Sequence, residues 1–220
     1  MRFFYLVFDL SALVSGVALL IYKKSFNADL LKRAVLAILL VDLPFLSWDF
    51  LATKAGHWSF SDKFTTGVKV AALPIEEVLF FLAIPLVCLG VWQLFSTENH
   101  YKKIRYSAAI KSLLVTSAFI LVVINPRGYT LVVSLSFVGF MLTAGRLRLF
   151  SDQSFWLFQI AAVALFIFGN GLLTGLPVVT YGAQAISGIG LGSIPVEDIL
   201  YNFILINSWV LVTTRQRIKP

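Results

Sequence analysis

The chain has 220 residues, of which 59% are hydrophobic and 13% charged, and its mean hydropathy is +0.87. That is more apolar surface than a soluble core needs, and it fits a bundle surrounded by lipid. The net charge of +7 does not indicate nucleic acid, because the basic residues sit in short gaps between apolar runs, as membrane topology signals do.

A membrane-spanning helix needs about 20 apolar residues. The apolar runs predict seven spans, at 3–22, 31–51, 68–95, 106–125, 129–145, 154–174 and 190–212. The first follows Arg2 and ends at Tyr22-Lys23-Lys24 without a small-residue cleavage site, so it reads as a retained helix rather than a signal peptide. The third is long enough to tilt or to run past the hydrocarbon. Asn125-Pro126-Arg127-Gly128, a strong turn signal, separates the fourth from the fifth. The other connections are also short and hold no soluble domain. The predicted fold class is all-α integral membrane.

Charge gives the orientation. With seven spans, Arg2, Lys54, Lys63, Lys69 and Arg127 share one side. The other side carries Lys23, Lys24, Lys32, Arg33, Lys102, Lys103, Arg105, Lys111, Arg146, Arg148, Arg215, Arg217 and Lys219. Thirteen against five predicts a multi-pass cell-membrane protein with its N-terminus outside and its C-terminus in the cytoplasm.

An internal repeat organises the chain. Leu73-Pro74-Ile75-Glu76-Glu77-Val78-Leu79-Phe80 reads like Ile194-Pro195-Val196-Glu197-Asp198-Ile199-Leu200-Tyr201, 121 residues later. The same offset sets Asp49 on Asn170 and Thr53 on Thr174. The predicted organisation is a first three-span repeat at 1–95, a linker helix in 96–128 and a second repeat at 129–220. An odd number of spans between equivalents keeps the two copies parallel, with a pseudo-two-fold axis along the membrane normal.

Seven of the eleven acidic residues fall inside the proposed spans: Asp9, Asp42, Asp49, Glu76, Glu77, Glu197 and Asp198. Intramembrane carboxylates cost about 2.5–3.5 kcal/mol each on insertion scales and are functional candidates by default. Residue counting puts Asp9, Asp42, Glu76 and Glu197 in one layer just outside the midplane, with Asp49 nearer the outer surface. Each acidic pair follows a proline by two residues, and inside a helix Pro74 and Pro195 would free the carbonyls of Val70 and Leu191. Irregular backbone at that depth is tolerated where it lines a cavity. Aromatics follow at helical spacing: Phe80 and Phe81 after the first pair, Tyr201 with Asn202 after the second. A neutral carboxyl can donate a proton, an ionised one can accept it, and aromatic faces stabilise a passing cation. The plainer alternative is that the pairs only hydrogen-bond helices together. Two related pairs, each behind a proline, weigh against it.

Other features are bland. Cys88 is the single cysteine, and His57 and His100 lie far apart, so no disulfide, thiol site or histidine ligand pair is expected. No metal site is predicted, a carboxylate-held magnesium being the one arrangement left open. Gly188-Ile189-Gly190-Leu191-Gly192 follows no strand and matches no full dinucleotide fingerprint, so it reads as a flexible approach to a helix or as close packing. Trp48, Trp58 and Tyr181 read as outer-interface anchors, with a place over the substrate as the alternative. His57 reads as an interfacial loop residue.

The two proline–acid–acid motifs resemble those of the membrane lycopene cyclases of the heterodimeric and fused type. These occur in carotenoid-producing bacteria and archaea, and as one domain of a bifunctional fungal enzyme. The matching stretches are Trp48-Asp49, Gly56 to Phe60 and Pro74 to Phe81, then Asn170 to Tyr181 and Pro195 to Phe203. Gly182 departs from the polar residue of the family pattern. The resemblance implies a single-chain cyclase that turns the linear ends of lycopene into ionone-type rings, most simply β rings, without net redox change and without a cofactor. It implies Glu76, Glu197, Glu77 and Asp198 as catalytic candidates, the first of each pair favoured. Asp49, Asn170, Phe80, Phe81, Tyr201, Asn202 and Trp58 are candidates for substrate contact. The implied partners are the lipid-soluble carotenoid and membrane lipid, not nucleic acid, and a homo-oligomer is compatible with these spans.

Four other classes compete. A proton-coupled transporter fits membrane acids but needs an acidic relay to both faces, and the acids form one layer. A retinal photoreceptor needs a lysine in the seventh span, and 190–212 has none. A prenyltransferase needs Asp-rich diphosphate sites, which are missing. A carotenoid hydratase shares alkene protonation and is the nearest rival.

Overall fold

The structure, a computed structural model, describes residues 1–96 and 102–214. His100 and the basic residues Arg215, Arg217 and Lys219 lie outside the described residues. Among the described residues, seven helices are long and apolar enough to cross a membrane. In chain order they are α1 (Phe4–Tyr22), α2 (Ala28–Ala37) continued by α3 (Leu43–Lys54), α4 (Ile75–Phe95), α5 (Ser107–Ile124), α6 (Gly128–Thr143), α7 (Gln153–Gly175) and α8 (Val196–Thr213). A π turn at Ile38–Asp42 joins α2 to α3, so the second span runs unbroken from Ala28 to Lys54. Asn27 starts it, its side chain accepting from the Leu30 amide at 2.9 Å.

The third and seventh spans start later than the apolar runs suggested. Pro74 and Pro195 are not inside a helix; each is the N-cap, with ψ 148° and 145°. The residue before a proline is driven to extended backbone, and the ring bars a preceding helical turn. Residues upstream therefore pair as small hairpins. β2 (Lys69–Val70) pairs with β3 (Leu73–Pro74), and β5 (Gly190–Leu191) with β6 (Ile194–Pro195). The carbonyls of Val70 and Leu191 are thus not released from a broken helix. Ala71 and Gly192, 121 residues apart, turn the two hairpins at φ 56° and 61°. The glycine run at 188–192 is this second hairpin: a Cβ on Gly190 would lie 2.4 Å from the Ile194 carbonyl oxygen.

The starts of these helices also correct the acidic layer. Glu76, Glu77, Glu197 and Asp198 sit in the first turn of α4 and α8. Asp49 joins their level, because the second span extends to Lys54. Asp42 lies seven residues earlier on that span, roughly 10 Å deeper. There it accepts a 2.6 Å hydrogen bond from the Trp209 indole.

The repeats pack about α4 and α8, which contact each other, while α1 lies along α4 and α6 along α8. Two glycines set the closeness of α1. A Cβ on Gly16 would stand 2.6 Å from the Val87 nitrogen, and one on Gly90 2.8 Å from Leu19 Cβ. At the end of the bundle that carries the two hairpins, β1 (Trp58–Phe60) pairs antiparallel with β4 (Val179–Tyr181). Ser59 pairs with Thr180, its own repeat equivalent, and their hydroxyls are 2.9 Å apart. The pseudo-two-fold axis therefore passes through this pair.

Candidate active site

Below the β1–β4 ribbon lies a cavity of about 70 Å³, lined by both repeats. α3 supplies Asp49, α4 supplies Glu77 and Phe80, and β1 supplies Trp58. From the second repeat come Asn170 on α7, Tyr181 on β4, and Asp198, Tyr201 and Asn202 on α8. Three carboxyls thus face one small space while being nearly fully buried in protein.

The members of each acidic pair diverge, because neighbours on a helix point about 100° apart. Glu77 and Asp198 face the cavity. Glu76 and Glu197 turn to the loops outside it. Glu76 accepts from the Thr66 amide at 2.6 Å, and Glu197 accepts from the Ser187 amide at 2.6 Å. Thr66 and Ser187 are themselves repeat equivalents. Each glutamate thereby fastens the loop that leads into its own proline. Glu197 also accepts from the Thr130 hydroxyl at 2.6 Å. The repeat equivalent of Thr130 is Asp9, buried beside Glu76; among the described residues neither Asp9 oxygen has a hydrogen-bond partner.

The three cavity carboxyls are dressed differently. Asp198 accepts from Tyr129 (3.0 Å), Tyr181 (2.5 Å) and Asn170 (2.7 Å). Glu77 accepts from Tyr5 at 2.6 Å. Asp49 accepts from the Trp58 indole at 2.6 Å. Burial, and then the charge of Asp198, push the Tyr181 hydroxyl well above its ordinary value, which keeps it a donor.

Aromatic rings close the space. Trp58 and Tyr129 meet edge to face at 4.9 Å, Tyr129 and Tyr181 are parallel at 6.3 Å, and Tyr201 lies 6.1 Å from Tyr129. Trp58 and Tyr181 are therefore cavity walls and not interface anchors; Trp58 is 6% exposed. Trp48 is half-buried against Tyr201 at 4.9 Å. Phe81 turns away from the cavity into a core with Leu205 and Trp209. His57 is half-buried in the outer loop, where burial lowers its pKa. Its carbonyl accepts from the Gly182 amide at 2.9 Å. A Cβ on Gly182 would stand 2.4 Å from the Gly56 carbonyl oxygen, so the ribbon excludes any larger residue there.

Two donors, Tyr5 and Tyr129, escaped the sequence reading. Each lies near the start of the first helix of its repeat, where tyrosine is unremarkable at a membrane interface. They lie 124 residues apart, against 121 for the acidic motifs, so the repeat offset does not pair them.

The lycopene cyclase family model matches residues 2–95 and again residues 126–215. The chain belongs to the lycopene cyclase family. Each segment ends in one of the two proline-capped helices, α4 and α8, and the cavity is built where they meet. No curated protein and no solved structure matches the chain.

Proposed function

We propose that the chain converts linear lycopene end groups to β rings in the cavity between α4 and α8, by proton transfer alone. The observation that carries this reading is that Glu77 and Asp198, one from each repeat, face a single aromatic-walled space. Glu77 donates a proton to the terminal double bond of the substrate and leaves a tertiary carbocation. The internal alkene attacks that cation, closing the carbon–carbon bond of the ring and moving the positive charge to a ring carbon. Asp198 takes a proton from the ring, whose C–H electrons form the new double bond. One proton enters and one leaves, so no oxidant, reductant or cofactor is needed. The three donors on Asp198 suit an anion that waits to accept. Among the described residues Glu77 has only the single donor Tyr5, is less firmly held as an anion, and suits the proton donor. Trp58, Phe80, Tyr129, Tyr181 and Tyr201 present aromatic walls to the cation.

In this reading Glu76 and Glu197 position the loops and do not touch substrate. Asp49, Asn170 and Asn202 order the acids and the end group. The domain limits are 1–95, 96–128 and 129–220, supported by the matched segments. The N-terminus faces outside and the C-terminus the cytoplasm, supported by the charge bias. Expression in a lycopene-accumulating bacterium with pigment analysis tests the function. β-ring carotenoid is the expected product. Hydroxylated acyclic carotene would support a hydratase instead, and unchanged lycopene would reject both.

A further inference from the structure

Both repeats wall the cavity, yet its two sides are not alike. A groove of about 300 Å³ runs between α1 and α7 and across α4, lined by Phe8, Ser11, Ser15, Cys88 and Gly169, among others. It shares Phe80, Phe166, Asn170 and Asn202 with the acid cavity, so the two spaces adjoin across these side chains. Its outer lip is exposed to the surroundings of the bundle: Ser11 and Ser15 are exposed, and Phe168 is 68% exposed.

The repeat offset names the residues that stand where a second groove would lie. Gly169 corresponds to Trp48, Asn202 to Phe81 and Cys88 to Trp209. In each case the groove residue is small and its counterpart is a large aromatic. These counterparts fill their side. Trp48 packs on Tyr201 at 4.9 Å and on Phe45 at 5.8 Å. Phe81 and Trp209, 1% and 0% exposed, sit in one core with Leu205. Trp209 is further fixed by its hydrogen bond to Asp42.

We infer that the α1–α7 groove is the single portal by which a linear polyene slides from the bilayer into the acid cavity, with Gly169 holding it open and Trp48, Phe81 and Trp209 sealing the symmetry-related route. This rests on the cyclase reading for the identity of the occupant. A polyene fits the groove because its walls are nearly all apolar and its lip lies in the lipid-facing surface, and because its inner end adjoins the cavity that holds the carboxyls. A long substrate then presents one end at a time, and its second end must leave and re-enter by the same route.

The test copies the sealed side onto the open one. Gly169→Trp places the Trp48 side chain at its repeat position, and Ser15→Trp blocks the lip from a lipid-facing site that the fold tolerates. Leu135→Trp, on the exposed face of α6 away from the groove, is the control. Two readouts are taken at matched expression: ring-containing carotenoid in lycopene-accumulating cells, and lycopene retained by the detergent-purified protein. Both groove variants should lower both readouts by about tenfold or more, while the control stays at the unmodified level. Should Gly169→Trp fail to accumulate, Ser15→Trp decides alone. Groove variants that retain and cyclise lycopene like the unmodified protein would overturn the portal. An unmodified protein that retains lycopene through this groove but forms no ring would overturn the cyclase reading and leave the portal standing.

Discussion

Replacing Glu76 separates holding from proton transfer. Glu76 is 0% exposed, and its Oε1 accepts from the Thr66 amide at 2.6 Å. Glu76→Gln keeps an amide oxygen that can accept the same N–H but removes any transferable acidic proton. Glu76→Ala removes the acceptor and strands the Thr66 amide, at a cost of about 2 kcal/mol for a donor left unsatisfied. The loop that this bond anchors also receives the Arg2 guanidinium on the Thr66 carbonyl and leads into Pro74. The alanine variant should therefore melt several degrees lower in detergent and lose activity in step with its stability. The glutamine variant should retain most of its ring formation at matched expression. A folded, thermally normal Glu76→Gln protein that forms no ring would refute the assignment of Glu76 to the loop and return it to the chemistry.

Other predictions follow from close contacts and backbone. Gly16→Leu would force a side chain into the Val87 backbone, where even a Cβ has only 2.6 Å. Overpacking of this kind costs about 1–3 kcal/mol or more, so lower yield and a lower melting temperature are expected, and unchanged melting would contradict the α1–α4 packing. Ala71→Gly relieves an L residue at φ 56°, the conformation that its equivalent Gly192 already meets with glycine. It should stabilise the protein by about 0.5–1 kcal/mol, read as a higher melting temperature, and a lower one would contradict the hairpin geometry. A C-terminal reporter active only in the cytoplasm should report the C-terminus inside; activity only outside would reverse the topology.

The seven spans were legible because lipid demands long apolar runs, and the repeat was legible because the proline–acid–acid motif recurs with one offset. The ends of the third and seventh spans were not. Val68 to Leu73 and Ile189 to Ile194 are apolar enough to read as helix, and only the extended backbone before each proline turns them into hairpins. That difference also misplaced Asp42 and Asp49. The acidic pairs stood out in the sequence, but which member faces the cavity did not. It depends on helix rotation, fixed by the Thr66 and Ser187 amides that claim Glu76 and Glu197. Tyr5 and Tyr129 were hidden for a related reason: a hydroxyl aimed at a carboxyl from a distant helix leaves no local pattern.

The central claim is that one carboxyl from each repeat carries the proton in a shared cavity. Its most direct measurement is ring formation by Glu77→Gln and Asp198→Asn, beside Glu76→Gln, in lycopene-accumulating cells at matched expression. Positioned acid–base groups contribute about 10²- to 10⁴-fold, so each of the two cavity variants should leave lycopene almost wholly linear while Glu76→Gln still cyclises it. Near-normal ring formation by either folded cavity variant would contradict the account.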